Sequence, residues 1–459
     1  MAYLNTFFRV VVITYLGVLH FYNGFGQTWE SVGNPDFSPN TAWNTCIAMD
    51  TGGTPYVAFE DYGDNFKATV MKYDGTNWVY VDTEGFSSGM VEFTSIAIDG
   101  HGTPYVVYQD QNMTNFPATV MKYNGTHWVN VGNAGFSGDQ AWWTTIAIDT
   151  AGTPYVAYED ASNDSMATVM KYTDTGWATV GIQGFSTGVA HWPHIAIDGN
   201  GVPYVVYSDV SQNGKTTVKK YNDTGWTTVG SAGFSAGQAI WTYIAIDTAG
   251  TPYVVYMDVA NDNKATVMKY NDTGWTVVGI AGFSVGAAEN TTMAIAKNGT
   301  PYVVYSDSVN NYAATVMKFN GSDWVNAGNA GFSPAAAFWT SIAIGRNGSP
   351  YVVYSDNSDG LAATVVTLDT STAIKNISNP VEALSIYPNP NCGIFNINVS
   401  APEKETVTIS VVNILGEKVV GANTNTNQQT QMQLDNARGM YFVTAITKNR
   451  TLTAKIIVE

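Results

Sequence analysis

Counting seven residues on from the Phe of each recurring Phe-Ser pair reaches Phe93, Trp143, Trp192, Trp241 and Trp339. Trp43 stands one residue short of its place, and Asn290 interrupts the series. Aromatic faces at recurrent positions suit stacking on the apolar faces of sugar rings, while polar loops nearby supply hydrogen bonds. The same rings also suit packing between repeated units, and the sequence leaves both readings open.

Carboxylates are the second candidate set. Asp61, Asp110, Asp160, Asp209, Asp258, Asp307 and Asp356 recur at one position, followed in places by more oxygen ligands, as in Asp160-Ala-Ser-Asn-Asp164 and Asp258-Val-Ala-Asn-Asp262. Calcium loops use such clusters, so Asp160, Asp164, Asp258 and Asp262 form the candidate metal set, with calcium the only cofactor the residues suggest. An Asp at a strand end also caps its own turn by accepting from backbone N–H groups, and that reading needs no ion. His191 and His194 lie three apart but lack a nearby third ligand for zinc. Glu60, Glu159 and Glu289 offer carboxylates for acid–base work on a polysaccharide. No Gly-Xaa-Ser-Xaa-Gly elbow or phosphate loop occurs.

The elements that must position these residues come from repetition. Pro-Tyr pairs begin at Pro55, Pro104, Pro154, Pro203, Pro252, Pro301 and Pro350, and Trp29, Trp78, Trp128, Trp177, Trp226, Trp275 and Trp324 keep the same spacing. A fixed period near 50 residues marks tandem structural units. Each copy reads as four short strands: in the third, Ile146 to Asp149, Pro154 to Asp160, Ala167 to Tyr172 and Trp177 to Val180. Short turns join them, and one long link runs to the next copy. This predicts an all-β, seven-bladed β-propeller with four-stranded blades, Ile-Ala-Ile-Asp innermost and the Trp strand outermost. The last copy lacks a Trp strand, while Trp29 to Val32 precedes the first inner strand. The N-terminal strand is therefore expected to close the last blade, since an open ring leaves unpaired edges. The aromatic series then immediately precedes the inner strands and rings the mouth of the central channel. Sialidase-type propellers share the fold but clamp a carboxylate with three arginines, and Arg346 is the one arginine of the repeats.

At the N-terminus, Arg9 followed by the apolar run Val10 to Leu19 and the small residues Gly24 and Gly26 reads as a signal peptide over residues 1–26. The run is about half of the roughly 20 residues a membrane span requires, so no transmembrane span is expected. The propeller occupies residues 27–368, and residues 369–383 read as a linker. From Leu384 a new pattern of short alternating strands suggests a small β-sandwich to residue 459. Its Tyr387-Pro-Asn-Pro390 opening, Gly439-Met-Tyr441 strand and Lys455-Ile-Ile-Val-Glu459 ending resemble the C-terminal sorting domain of type IX secretion cargo of Bacteroidetes. That resemblance implies handling by the type IX machinery and a secreted or outer-surface location.

The net charge of −17, from 37 acidic against 20 basic residues, disfavours nucleic acid and anionic membranes as partners. Copies differ by a single residue in length, so no lid-sized insertion exists and sites are expected to repeat around the ring. The leading expectation is a non-catalytic recognition propeller for a glycan or cell-surface ligand. A glycosidase or lyase, and a structural surface or matrix component, are the alternatives.

Overall fold

The computed structural model describes residues 27–369, 383–401, 404–434, 438–448 and 451–459. The expected signal peptide, and nearly all of the expected linker, lie outside them. The chain divides into two compact units at residue 370.

Residues 28–369 form seven four-stranded antiparallel sheets. In the third, Ala141–Ile148 pairs with Pro154–Asp160, that strand with Met166–Thr173, and that one with Gly176–Thr179. The second strand is buried along its whole length, because neighbouring blades cover both faces of each sheet. Its Val and Tyr run without polar alternation suits that position. Each core cluster of the ring joins two adjacent blades: Val107 and Val120 of blade two pack with Ile146, Val156 and Tyr158 of blade three.

The ring closes as the repeat phase predicts. Thr28–Ser31 pairs with Ala362–Asp369, placing Trp29 opposite Leu368 and completing blade seven. Trp29 Nε1 donates to the Ala327 carbonyl at 2.8 Å, and its ring stacks on Phe332 at 4.5 Å. The other outer-strand tryptophans repeat this staple onto the preceding blade, as in Trp226 Nε1 to the Val180 carbonyl at 2.7 Å with Phe185 stacked at 4.0 Å. Gly181 lies beneath that indole with φ +76°, and an added Cβ would come within 2.9 Å of Tyr221. A side chain there meets both backbone strain and a ring.

The inner strands differ from expectation. They begin five residues earlier, at Ala141 rather than Ile146 in blade three, so the aromatic series lies inside them and not in the preceding link. A bulge in each strand hides this extension from the alternation of residues. The polar loops after strand two hold short 3₁₀ turns such as Ala161–Asn163.

The C-terminal unit has two sheets. Ala383–Tyr387, Ile394–Ser400 and Thr430–Gln433 form one. The other runs in the order Lys418–Asn425, Thr406–Asn413, Gly439–Ile446, Thr451–Val458. Phe395, Ile397, Val407, Ile409, Val443 and Ile456 form its core, alternating with exposed residues along each strand.

Candidate functional site

In all seven inner strands the pairing with strand two shifts by one residue, as between Trp142 and Thr145. The first extra residue has left-handed backbone in every copy: φ is 49° at Asn44, 57° at Phe93, 53° at Trp143, 49° at Trp192, 52° at Trp241, 53° at Asn290 and 48° at Trp339. Asn visits this region readily, whereas an aromatic residue there costs on the order of 1–3 kcal/mol. The conformation is held by the next residue. Thr45, Thr94, Thr144, Thr242, Thr291 and Thr340 each donate a hydroxyl to the carbonyl of the bulge residue one blade back, at 2.6–3.1 Å. These bonds form a girdle from blade to blade. Bulges of this kind re-aim side chains, and here they bring the series to one place.

That place is a single cavity of about 420 Å³ on the ring axis, lined by all seven inner strands. Phe93, Trp143, Trp192, Trp241 and Trp339 line it, together with Asn44 and Asn290. Trp43 does not; it stands outside, 38% exposed, stacked on Trp339 at 5.2 Å, and Asn44 occupies the equivalent position. Phe93 touches Trp143 at 4.6 Å and Trp143 touches Trp192 at 6.1 Å between centroids, giving a continuous aromatic arc across blades two to four. The repeated positions thus converge on one cavity.

Polar groups break the symmetry. Glu60 is buried and accepts from Asn44 Nδ2 at 2.6 Å. Burial pushes its carboxyl up to about 8 against that hydrogen bond, and the neighbouring Glu92 charge adds to the effect. Glu159 lies 3.1 Å from His191 Nδ1; burial raises its carboxyl while the imidazole partly restores the anion. Glu289 belongs to a third blade, opposite Ser306, so the three candidate carboxylates sit on blades one, three and six.

Beneath the aromatic rim, His194 packs on Tyr243 with ring centroids 3.7 Å apart. Burial holds the imidazole down to about 3, hence neutral, and pushes the Tyr243 phenol up to about 12. Cys46 in the same wall is likewise raised to about 12 by burial and hydrogen-bonds the Ala58 and Thr94 carbonyls through Sγ, so it is an inert thiol. The tight pairing of His194 with Tyr243 follows from rings standing where the other copies carry Cys46, Ser95, Thr145, Thr292 and Ser341, a difference visible in the sequence but uninterpretable without the bulge.

The candidate calcium residues are engaged otherwise. Asp160 Oδ1 accepts from the Ser162 N–H and hydroxyl, while Oδ2 accepts from Asn163 Nδ2 and Thr168 Oγ1 at 2.9 and 2.6 Å. Asp258 caps its turn in the same way through Ala260, Asn261 and Thr266. Asp164 and Asp262 are exposed, left-handed residues ending those turns. Among the described residues no three His, Cys, Asp or Glu side chains gather where they could hold a metal.

Comparisons with known proteins speak to the fold and to the C-terminal unit. An ulvan lyase, described as a new family of polysaccharide lyase, is 12% identical with a TM-score of 0.50, covering 73% of this chain and 95% of its own. A protein of unknown function from Dyadobacter fermentans gives 10% identity and a TM-score of 0.45 over 74% of this chain and 97% of that one. The SapL1 lectin, solved with α-methyl fucoside, gives 15% and 0.45 over 65% and 99%. No curated protein matches the sequence. Residues 385–459 match the secretion system C-terminal sorting domain family. Among the described residues no helix is long and apolar enough to cross a membrane. The C-terminal unit is therefore a type IX secretion sorting domain, and the protein is secreted or held at the cell surface.

Proposed function

We propose that the propeller is a non-catalytic carbohydrate-recognition module that binds one glycan segment in its axial cavity. The observation that carries this reading is the ring of aromatic residues kept in left-handed backbone around a single opening. Packing alone gives no reason for that strain, because the Ile layer three residues further on already fills the space between blades. Strain retained at equivalent positions around a cavity is the kind of feature that function maintains. The chemistry fits sugars: aromatic faces for their C–H surfaces, with Asn, Thr and Ser groups in the same wall for their hydroxyls.

A glycan array probed with the full mature chain tests this reading. Trp143→Ala and Trp241→Ala are each expected to weaken binding at least about tenfold, a loss of roughly 1.4 kcal/mol. Binding that survives both substitutions unchanged removes the aromatic ring from the account.

One observation favours the catalytic alternative: Glu60 keeps its proton to about pH 8 beside the same opening, as a general acid requires. Its partner base is then Glu159 or Glu92. Release of reducing or unsaturated ends from a bound polysaccharide, lost in Glu60→Gln, is the result that replaces recognition by catalysis.

A further inference from the structure

The aromatic lining of the axial cavity does not end at its rim. Trp339 of blade seven lines the cavity, and Trp43 of blade one stacks on it from outside at 5.2 Å. Phe66 meets Trp43 edge to face with centroids 5.6 Å apart, and Tyr62 meets Phe66 in the same way at 5.1 Å. Four rings therefore run without a break from the cavity wall to the turn that follows strand two of blade one. The outermost, Tyr62, is 58% exposed, and Trp43 is exposed as well.

The other copies show that the fold does not require this path. Trp43 pairs with Glu60 across the sheet, and the 3₁₀ turn Tyr62–Asp64 begins two residues later, so the backbone brings these positions together. Blade five has the same sheet and turn with Ile240, Val259 and Asn263 at the three positions, and blade one alone of the seven carries a benzene or indole ring at all of them. Contiguous exposed aromatic surface that joins a cavity marks a ligand-binding face, not a core. Asn65 and the Asp64–Lys67 ion pair, 3.1 Å apart, stand among these residues in sequence and offer polar groups to hydroxyls. Continuity with the cavity names the occupant, because a polymer held in about 420 Å³ has to continue outside it.

We infer that Trp43, Phe66 and Tyr62 form an outer binding platform, over which a glycan held on the axis continues across blade one. The ligand is then a chain of several sugars, not a single unit or a pair. This rests on the carbohydrate reading above and adds the direction the chain takes and the residues that hold it beyond the cavity.

Isothermal titration calorimetry of the full mature chain tests it, with laminari-, manno-, xylo- and alginate oligosaccharides, each as the disaccharide and the hexasaccharide. The expected result is a hexasaccharide bound at least about tenfold more tightly than its disaccharide. Tyr62→Ala is expected to reduce that ratio about fivefold, while Tyr62→Phe, which keeps the ring, retains it. Val259→Ala, at the same exposed turn position of blade five, is the control and also retains it. A ratio near one in the unaltered protein, or equal ratios in Tyr62→Ala and Val259→Ala, overturns the platform while leaving carbohydrate binding intact. A dimer of the unaltered protein that Tyr62→Ala dissociates, seen by light scattering, assigns the patch to a second copy of the chain and overturns it too. Binding of no oligosaccharide in any series overturns the carbohydrate reading itself.

Discussion

Glu60 shows how one buried carboxyl makes the fold sensitive to pH. Its ordinary value of 4.5 is raised to about 8, so between those values the folded chain keeps a proton that the unfolded chain has released. Stability therefore falls as pH rises through that window. His194 acts in the opposite sense, because its imidazole stays neutral to about 3 while the unfolded residue protonates near 6.5. Above pH 6.5 the histidine contribution is flat. Gln at residue 60 still accepts from Asn44 and cannot ionise. The melting temperature of Glu60→Gln is expected to stay nearly level from pH 6.5 to 8 while that of the unaltered protein declines. Parallel profiles would show that Glu60 ionises normally.

At the scale of elements, the closing strand and the bulge carry the architecture. Thr28–Ser31 holds blade seven through one sheet edge, the Trp29 indole bond to Ala327 and the stack on Phe332. Trp29→Ala is expected to lower stability by about 3–5 kcal/mol, near the upper range because ring closure is lost with it, as thermal or denaturant melting would show. A change below about 1 kcal/mol would mean the ring holds without this strand. This closure could be read from spacing alone, since the outer-strand Trp recurs in every copy and one copy comes before its first inner strand. The bulge could not. An extra left-handed residue reverses which face the next side chain takes, so alternation stops at Ile146 although the strand starts at Ala141. For the same reason Trp43 attracted attention by its aromatic type, when the equivalent position belongs to Asn44. The visible sign was the Thr that follows the bulge in six copies, a residue whose hydroxyl has a partner only across blades.

At the scale of the whole molecule, near-identical repeats converge on one cavity. Residues at one repeat position face one axis, so seven copies build one cavity, and the few substitutions among them define it: Asn44 and Asn290 in the rim, Pro193 in the girdle, His194 against Tyr243 in the wall. The sequence showed these departures singly, while their convergence depends on ring closure. Export through the sorting domain places this cavity outside the cell or on its surface. The most direct test is a crystal structure of the protein soaked with an oligosaccharide of the glycan that binds best. Sugar density is predicted on the axis, stacked on the arc of Phe93, Trp143 and Trp192. Density confined to the outer strands or to the turns capped by Asp160 and Asp258, with the axial cavity holding only water, would contradict it.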